Sequence, residues 1–561
     1  MTRFSSRRLP ALFVASFLLA APLLATPAAK AADPAAAGID AVAASFYKEG
    51  VPGAAILVAE GDKVVLEKGY GQASLELGVP IAPDMVFRIG SVTKQFTAVA
   101  ILMLMEQGKL RLDQTISDIL PDYPKAQGEK VTIENLLSHT GGIPNYTDDA
   151  EFWKIAKDKL EPAKMLALFA NKPLEFTPGE KWAYSNSGYF VLGLILEKVS
   201  GESYRAFVEK HLLAPAGMKA SLYDDPEKLV PRRAAGYQPM PDGGFAPAPY
   251  IDMSGPYAAG ALASTVADLH RWNLALLEGK LIRRQSLEKA WTSFRLSTGK
   301  NNTYGYGWDV GQYEGERLVS HGGGIPGFMS MMYFLPEKKM TVAVLSNGAA
   351  LSAEHAAQRV LMAALGNSEG YEKTTLPAES LAKLEGVYQI DATSKRVVKV
   401  EGDHIVTIRD GGAAFKAYPI GENEFAYEHN NNRLRFELDG QGKVVRMQVL
   451  TWGQAEGEPA ERTDEKIPEG PKFVELSAED LDRLVGNFEL HPGFVLNIRR
   501  EGQNMLAQAT GQGPIEIKAT SPTELYSQQI GARIVFELEG GKAKSLTLFQ
   551  GGAEMPAKRV D

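Results

Sequence analysis

The sequence predicts an α+β fold: a large region of antiparallel sheet and helices, followed by two small all-β barrel-like domains. Strand patterns stand near both ends of the first 366 residues and helical patterns fill the middle, so one sheet is expected to join distant parts of the chain. After about residue 367 the chain changes to short strands and Gly-rich turns, and it repeats itself at an offset of one hundred residues. With 561 residues, the chain is also too long for a single core.

The first 31 residues have the pattern of a secretory signal peptide. Three arginines precede an apolar run over residues 11–25, and small residues surround Lys30. A membrane anchor is disfavoured because a spanning helix needs about 20 apolar residues and Pro22 interrupts this run. We therefore expect a periplasmic or secreted protein, with cleavage near Ala31 or Ala32 and no stable membrane anchor.

Helical and strand periods alternate through the first domain. A helix predicted over 38–49 is followed by two strands over 54–74, which meet at the turn after Gly61. A long helix is predicted over 93–106, ending before Gly108. The remaining elements are helices over 133–138, 162–170, 188–199, 203–212 and 266–278, strands over 317–320, 328–335 and 340–346, and a helix over 353–365.

Two copies of one all-β unit follow the first domain. The segment LEGVYQI over 384–390 resembles LVGNFEL over 484–490, and RLRFELDG over 433–440 resembles RIVFELEG over 533–540. Many short strands in a unit of this length are typical of a small barrel, and two copies are too few for a solenoid. The predicted boundaries are 32–366 for the first domain, 380–464 for the first barrel and 476–561 for the second.

The charge balance and the absence of cysteine exclude several classes of function. The formal net charge is −8, and it becomes more negative once the basic first 31 residues are removed. That balance argues against a nucleic-acid partner or an anionic membrane surface. Without cysteine there is no thiolate chemistry, and the eight scattered histidines do not form a zinc pattern. We expect no metal and no other cofactor.

The stretch RIGSVTKQF over 88–96 places Ser91 three residues before Lys94, at the start of a long buried helix. The unpaired N–H groups and the dipole at such a position favour developing negative charge. Lys94 falls one turn later on the same face. Burial beside a positive helix end lowers the pKa of a lysine and lets it accept the serine proton. The alternative is an ordinary capping serine with a surface lysine.

Four other Ser-x-x-Lys pairs lack this setting. Ser45 lies inside a helix, Ser286 in a charged helical stretch, Ser297 in a turn and Ser380 beside a linker. The context therefore singles out Ser91 as the candidate nucleophile.

Tyr184 and Asn186 form the only Tyr-x-Asn in the sequence and lie in a polar loop before a helix. A phenol close to the serine can relay a proton to the leaving group, and an amide can hold a substrate carbonyl. The alternative is a turn with a packed tyrosine.

The stretch SHGGGIPGF over 320–328 has a strand pattern that ends at His321 and enters three glycines. Such glycines let a substrate and an oxyanion approach the backbone N–H groups of a strand edge. A Gly-rich hairpin is the alternative. Two other His-x-Gly matches, at His139 and His491, make the motif weak by itself.

As a set, these residues resemble the serine β-lactamase and penicillin-binding-protein superfamily, in which Ser-x-x-Lys, Tyr-x-Asn and His-x-Gly occur in this order. The branch with class C β-lactamases, D-aminopeptidases and related esterases is most similar, through FRIGSVTKQFTA, LLSHTGGIP, AYSNSGYFVLG and HGGGIPGF. The resemblance covers about residues 39–365. It implies a β-lactamase-like fold, with an antiparallel sheet flanked by helices and an all-helical region. The C-terminal units resemble the lipocalin-like barrels appended to D-aminopeptidases.

The resemblance implies a role for each matching residue. Ser91 would be the acylated nucleophile, Lys94 its base, and Tyr184 would assist proton transfer. Asn186 would bind the substrate. The backbone N–H groups of Ser91 and Gly324 would form the oxyanion hole.

The sequence departs from the β-lactamases of this branch at His321, where they carry a lysine. That lysine pairs with the carboxylate of a penicillin, and a mostly neutral histidine does so less well. We expect His321, Gly323 and Gly324 to contact the substrate, and we expect β-lactamase activity to be weak.

The expected function is that of an exported serine hydrolase that forms an acyl-enzyme on small amides or esters. D-amino-acid peptides and amides, or short-chain esters, are the favoured substrates. A weak β-lactamase or D-Ala-D-Ala carboxypeptidase stays open, as does a non-catalytic penicillin-binding sensor or scaffold. An α/β-hydrolase is disfavoured because the candidate nucleophile Ser91 does not lie in Gly-x-Ser-x-Gly. The expected partner is a small-molecule or short-peptide substrate and no nucleic acid, and a homodimer stays open.

Overall fold

The structure is a computed structural model of the chain. It describes residues 34–240, 244–299, 302–313, 315–348, 352–367, 371, 373–392, 394–410, 412–428, 431–452, 457–491, 494–502, 504–509, 514–550 and 553–561. Residues 1–31, interpreted above as a signal peptide, lie outside the described residues, and export stays a prediction.

A six-stranded antiparallel sheet is the frame of the first domain. The strands described in this domain are β1 (Ala54–Glu60), β2 (Lys63–Tyr70), β3 (Gln72–Ser74), β4 (Val79–Pro80), β5 (Phe87–Arg88), β6 (Leu222–Tyr223), β7 (Tyr237–Pro239), β8 (Phe245–Pro247), β9 (Leu262–Ser264), β10 (Asp309–Tyr313), β11 (Glu316–Ile325), β12 (Phe328–Leu335) and β13 (Met340–Ser346). The sheet has the order β10-β11-β12-β13-β1-β2. Because β1 pairs with β13, from Ala54 opposite Ser346 to Glu60 opposite Met340, the sheet joins the two ends of the domain, as predicted.

Helices cover both faces of this sheet and fill the region between β5 and β10. The described helices are α1 (Pro34–Phe46), α2 (Thr93–Glu106), α3 (Ile116–Ile119), α4 (Lys125–Gly128), α5 (Ile133–Leu137), α6 (Ala150–Ile155), α7 (Pro162–Ala167), α8 (Asn186–Ser200), α9 (Tyr204–Val208), α10 (Tyr257–Gly260), α11 (Val266–Leu277), α12 (Arg284–Ala290) and α13 (Ala353–Ala364), with 3₁₀ turns at Gly90–Val92 and Tyr146–Asp148 and a π-helical turn at Glu209–Leu213. None of the described helices is long and apolar enough to cross a membrane.

The core of the first domain has two layers, one on each face of the sheet, because alternate side chains along a strand point to opposite faces. On β1, Ile56 and Val58 pack with α1 and α13 on one face, whereas Ala55 and Leu57 pack with the large helical region on the other. Successive side chains of a strand point to opposite faces, and both faces of this sheet are covered, so its central strands are apolar throughout. The larger layer holds α2, α8 and α11 against the sheet.

The C-terminal part forms two closed eight-stranded antiparallel barrels. The first consists of β14 (Gly386–Gln389), β15 (Lys395–Glu401), β16 (His404–Arg409), β17 (Ala414–Pro419), β18 (Glu424–Tyr427), β19 (Arg433–Leu438), β20 (Val444–Leu450) and β21 (Glu458–Arg462), and the second of β22 (Gly486–His491), β23 (Phe494–Glu501), β24 (Asn504–Ala509), β25 (Ile515–Ser521), β26 (Glu524–Ser527), β27 (Ala532–Glu539), β28 (Lys542–Gln550) and β29 (Ala553–Arg559). Short helices precede them, α14 (Ala378–Ala382) and α15 (Ala478–Asp482). The strand pairing repeats at the offset seen in the sequence: Gly386 lies opposite Val398, and Gly486 lies opposite Ile498. The predicted fold class is confirmed.

The first barrel is attached to the first domain through Trp452. Its ring lies 5.1 Å from that of Tyr313 on β10 and 4.9 Å from that of Tyr333 on β12, measured between centroids. Asn431 of the barrel also donates a hydrogen bond of 2.8 Å to the side-chain oxygen of Gln358 on α13. Trp452 therefore joins the small core between the sheet and α13.

Candidate active site

Ser91 lies in the 3₁₀ turn between β5 and α2, directly beside β11. Gly90 adopts φ +50°, and a Cβ atom there would lie 3.0 Å from the Gly324 nitrogen. A Cβ atom on Gly323 would lie 2.1 Å from the Ile89 carbonyl oxygen. Only residues without a side chain let the nucleophile turn and the strand come this close. The backbone of the 3₁₀ turn and that of β11 at Gly323 and Gly324 therefore lie side by side next to the Ser91 hydroxyl.

Lys94 is fully buried and its amine has three hydrogen-bond partners. The Nζ atom lies 3.0 Å from Ser91 Oγ, 2.7 Å from Asn186 Oδ1 and 2.9 Å from the Ala259 carbonyl oxygen. Two of these partners can only accept, whereas the serine hydroxyl can also donate. As an ammonium, Lys94 donates one N–H to each of the three; as a neutral amine it keeps two N–H donors for Asn186 and Ala259 and directs its lone pair at the serine proton. Burial lowers the pKa of Lys94 well below its usual value, which favours that neutral form.

Tyr184 completes the arrangement around the serine hydroxyl. Its phenol lines the cleft beside Ser91, close enough for the serine to affect the pKa of the phenol, and its ring centroid lies 4.7 Å from Lys94 Nζ. Burial raises the pKa of the phenol, so Tyr184 remains protonated at neutral pH and can donate its proton. Lys94 and Tyr184 thus present a base and an acid to the same hydroxyl group.

Asn186 is held inside the site at the start of α8. Its side-chain oxygen accepts from Lys94, and its amide nitrogen donates to Thr147 Oγ1 at 3.0 Å. Its backbone N–H donates to Asn145 Oδ1, also at 3.0 Å. Because a side-chain amide has two N–H donors, one remains for a substrate carbonyl. Asn186 therefore orients the lysine as well as lining the cleft.

His321 lies on β11 and lines the cleft with both ring nitrogens already bonded. Nδ1 lies 2.6 Å from the Gly322 carbonyl oxygen, so it carries the proton, and Nε2 lies 2.8 Å from Tyr304 Oη and accepts from it. Burial, with a smaller electrostatic contribution from Lys94, lowers the pKa of His321 to about 3. The ring is therefore neutral and offers no cation to a substrate carboxylate.

The glycines after His321 continue the strand rather than ending it. β11 extends to Ile325, with Gly322 opposite Met331 and Gly324 opposite Met329 on β12. The prediction that the strand ends at His321 is wrong, because glycines without side chains still pair through their backbone groups. This longer strand is what carries Gly324 past the nucleophile turn.

Three residues that support the site were not assigned roles from the sequence. Tyr304 orients His321. Ser330 donates a 2.8 Å hydrogen bond to the Ile89 carbonyl oxygen and so ties β12 to the nucleophile turn. The buried His139 accepts the Ser185 N–H at 3.1 Å through Nδ1, and its ring lies 4.3 Å from that of Tyr184. The sequence carried a signal for His139, which belongs to the LLSHTGGIP segment, and for Tyr304, which begins YGYGW, a segment that also resembles this branch.

The cleft has two sides that meet at Ser91. One side is rich in apolar and aromatic side chains, including Phe152, Trp153 and Ile251, and it contains Asn186. The other side contains Tyr184, His321 and residues of β12 and α13. Ser91 and Gly324 line both sides, and their backbone N–H groups are the candidate oxyanion donors.

Comparison with known proteins places this arrangement among enzymes. A family model described as Beta-lactamase matches residues 33–367. Penicillin-binding protein 4* of Bacillus subtilis (strain 168) is 29% identical over 528 residues, which cover 90% of this chain and 94% of that protein. The octameric penicillin-binding protein homologue from Pyrococcus abyssi is 29% identical, with a TM-score of 0.53, over 74% of this chain and 96% of that chain. A D-stereospecific amidohydrolase from Streptomyces sp. is 26% identical, with a TM-score of 0.50, over 58% of this chain and 97% of that chain. Since the family match spans more than half of the sequence, the chain belongs to the beta-lactamase family, whose members are serine hydrolases.

Proposed function

We propose that this protein is an amidohydrolase that forms an acyl-enzyme through Ser91, acting on small amides of D-amino acids and on short-chain esters. The observation that carries the proposal is the fully buried Lys94 amine 3.0 Å from Ser91 Oγ, because burial favours the neutral form whose lone pair can take the serine proton. A serine becomes a nucleophile when such a base takes its proton as the new bond forms.

The proposed reaction begins when Lys94 takes the Ser91 proton and the serine oxygen attacks the substrate carbonyl carbon. The negative charge that develops on the carbonyl oxygen is stabilised by the N–H groups of Ser91 and Gly324. The C–N or C–O bond then breaks, and Tyr184 gives its proton to the departing amine or alcohol and is reprotonated from Lys94. In the second half a water molecule attacks the acyl carbon and its proton passes to Lys94; the bond between Ser91 Oγ and the acyl carbon then breaks, and Lys94 returns the proton to Ser91 Oγ.

The two sides of the cleft support small acyl groups with an apolar side chain. Phe152, Trp153 and Ile251 would contact that side chain, next to the free amide N–H of Asn186. The similarity to a D-stereospecific amidohydrolase supports a D-amino-acid acyl group.

Covalent reaction with penicillins is the second candidate, and the similarity to penicillin-binding proteins over 90% of the chain favours it. The neutral His321 supplies no charge for the penicillin carboxylate, so turnover of the acyl-enzyme would be slow. A non-catalytic sensor is the limiting case of this candidate.

The test is a set of rate assays on the wild-type protein and Ser91→Ala. The substrates are D-phenylalanine p-nitroanilide, its L-isomer, p-nitrophenyl butyrate and nitrocefin. We expect the D-anilide and the ester to be hydrolysed faster than the other two, and Ser91→Ala to lose at least about a thousandfold in kcat. The matched control is Ser45→Ala, which alters an exposed Ser-x-x-Lys serine on α1. Hydrolysis that survives in Ser91→Ala rejects the proposal, and nitrocefin turnover above the anilide rate supports the second candidate.

A further inference from the structure

The side of the cleft that contains Tyr184 also contains an acidic residue that the reaction does not use. Glu354 lines this side together with Ser91, His321 and Met331. It belongs to the first turn of α13, where Ser352 caps the helix by accepting the His355 N–H. Among described residues, no lysine or arginine lines this side.

This side is the one that receives the leaving group. Tyr184, the proton donor to the departing atom, lies there, whereas Asn186 and the aromatic residues that would contact the acyl group lie on the other side. A substrate whose carbonyl carbon lies at Ser91 would therefore extend its leaving group into the side of the cleft that Glu354 lines. The inference rests on the proposed acyl-transfer reaction and adds a preference to it.

The electrostatics of this side are negative. Burial raises the pKa of Glu354 above its usual value, and the full charge of the ionised carboxylate exceeds the partial positive charge at the N-terminal end of α13. The carboxylate has one described side-chain partner, a hydrogen bond of 3.2 Å from the amide of Gln358, which is neutral. A second carboxyl group, Asp309 at the start of β10, lies close by: burial and the negative charge of Glu354 raise its pKa to about 7. The negative charge of Asp309 also raises the pKa of Tyr184.

We propose that Glu354 makes the enzyme select amides whose leaving amine carries a second, positively charged group, an ammonium or a guanidinium, and reject those whose leaving group carries a carboxylate. A cation placed on this side compensates the charge of Glu354, whereas a carboxylate adds to it. The bond that breaks remains the amide C–N bond, and the departing nitrogen still takes its proton from Tyr184.

The test compares three D-phenylalanine amides whose leaving amines have nearly the same length: 1,4-diaminobutane, pentylamine and 4-aminobutanoate. Values of kcat/KM are measured for the wild-type protein, Glu354→Gln and Glu337→Gln at low ionic strength. Glu337 is an exposed carboxylate in the turn between β12 and β13, and it serves as the matched control. We expect the cationic amide to exceed the anionic one by about tenfold or more in wild type and in Glu337→Gln. In Glu354→Gln the ratio should fall at least about fivefold. Added salt should lower the wild-type ratio as well.

The neutral pentylamide shows whether the protein hydrolyses amides at all, independently of any preference for a charged leaving group. If wild type hydrolyses it but treats the cationic and anionic amides alike, or if Glu354→Gln keeps the wild-type ratio, the preference is overturned and the amidohydrolase stands. If wild type hydrolyses none of the three amides, the proposed function fails and the preference fails with it.

Discussion

Lys94 determines whether Ser91 can react, because only its neutral form can accept the serine proton. Burial lowers its pKa well below that of a free lysine. We therefore expect kcat/KM to rise with pH along one acidic limb, whose midpoint lies well below 10.5. A pH–rate profile on the ester substrate measures it.

Lys94→Arg provides the direct comparison, since a guanidinium does not lose its proton in proteins. We expect kcat to fall by about a thousandfold or more. Lys48→Arg, an exposed lysine that follows Ser45, is the control and should keep the wild-type rate. A midpoint near 10.5, or an active Lys94→Arg, contradicts the assignment of Lys94 as the base.

Asp309 should lower the stability of the native protein at alkaline pH. Its pKa is raised from 3.8 to about 7, so the native state binds its proton more tightly than the unfolded chain does. The free energy of unfolding therefore loses a contribution as pH rises from about 4 to 7, and the loss persists above 7. Asp309→Asn should be more stable than wild type by roughly 1–3 kcal/mol at pH 8, and the difference should disappear near pH 4.

Urea unfolding at pH 4, 6 and 8 measures the effect of Asp309→Asn. The exposed Asp122→Asn serves as the control, with little change expected at any of the three values. A difference that does not depend on pH would mean that Asp309 acts through packing rather than charge.

At the residue scale, the sequence predicted the site residues that belong to short motifs. Ser91, Lys94, Tyr184 and Asn186 were predicted as one group, and the structure brings them into contact. Tyr304 was not predicted. It matters only because its hydroxyl meets His321, and that contact depends on how β10 and β11 pair rather than on any spacing along the chain.

The extended strand β11 depends on Gly323, whose Cα faces the nucleophile turn. We expect Gly323→Ala to lower kcat/KM by tenfold or more, because its Cβ would meet the Ile89 carbonyl oxygen at 2.1 Å. The turn would have to move away from the strand, and the serine would lose its position beside Gly324. Thermal unfolding should also shift down.

Gly440→Ala is the matched control for Gly323→Ala, since nothing lies within 4 Å of a Cβ atom added there. Normal kinetics in Gly323→Ala would show that the turn and the strand need not be so close.

At the element scale, the sequence predicted the strand but not its length, because three glycines in a row usually favour a turn. Pairing with β12 outweighs that local preference.

On the scale of the whole molecule, the contact made by Trp452 should set how firmly the first barrel is held. Its side chain is 8% exposed, although it belongs to a segment between two barrel strands. Trp452→Ala should cost about 3 kcal/mol and should expose the connection between the domains to proteolysis. Phe415→Ala, which alters a 45% exposed ring on the same barrel, should cost little.

Denaturant unfolding and limited proteolysis near residues 367–379 measure the effect of Trp452→Ala. Equal stability and equal cleavage in the two variants would show that the barrel is held by other contacts.

Both barrels were predicted from the internal repeat, because a repeat carries its strand pattern with it. The attachment through Trp452 was not, since an apolar residue in a loop does not reveal which surface it covers.

The pairing of β1 with β13 imposes an order of events on the newborn chain. β1 is synthesised near the start of its domain, and its partner Met340–Ser346 follows only at the far end. Until then the apolar strand Ala54–Glu60 has an open edge, which is a template for association with other chains. Each barrel, by contrast, closes from consecutive strands as soon as its last strand is complete. The first domain therefore leaves a strand edge open for longer during synthesis than either barrel does.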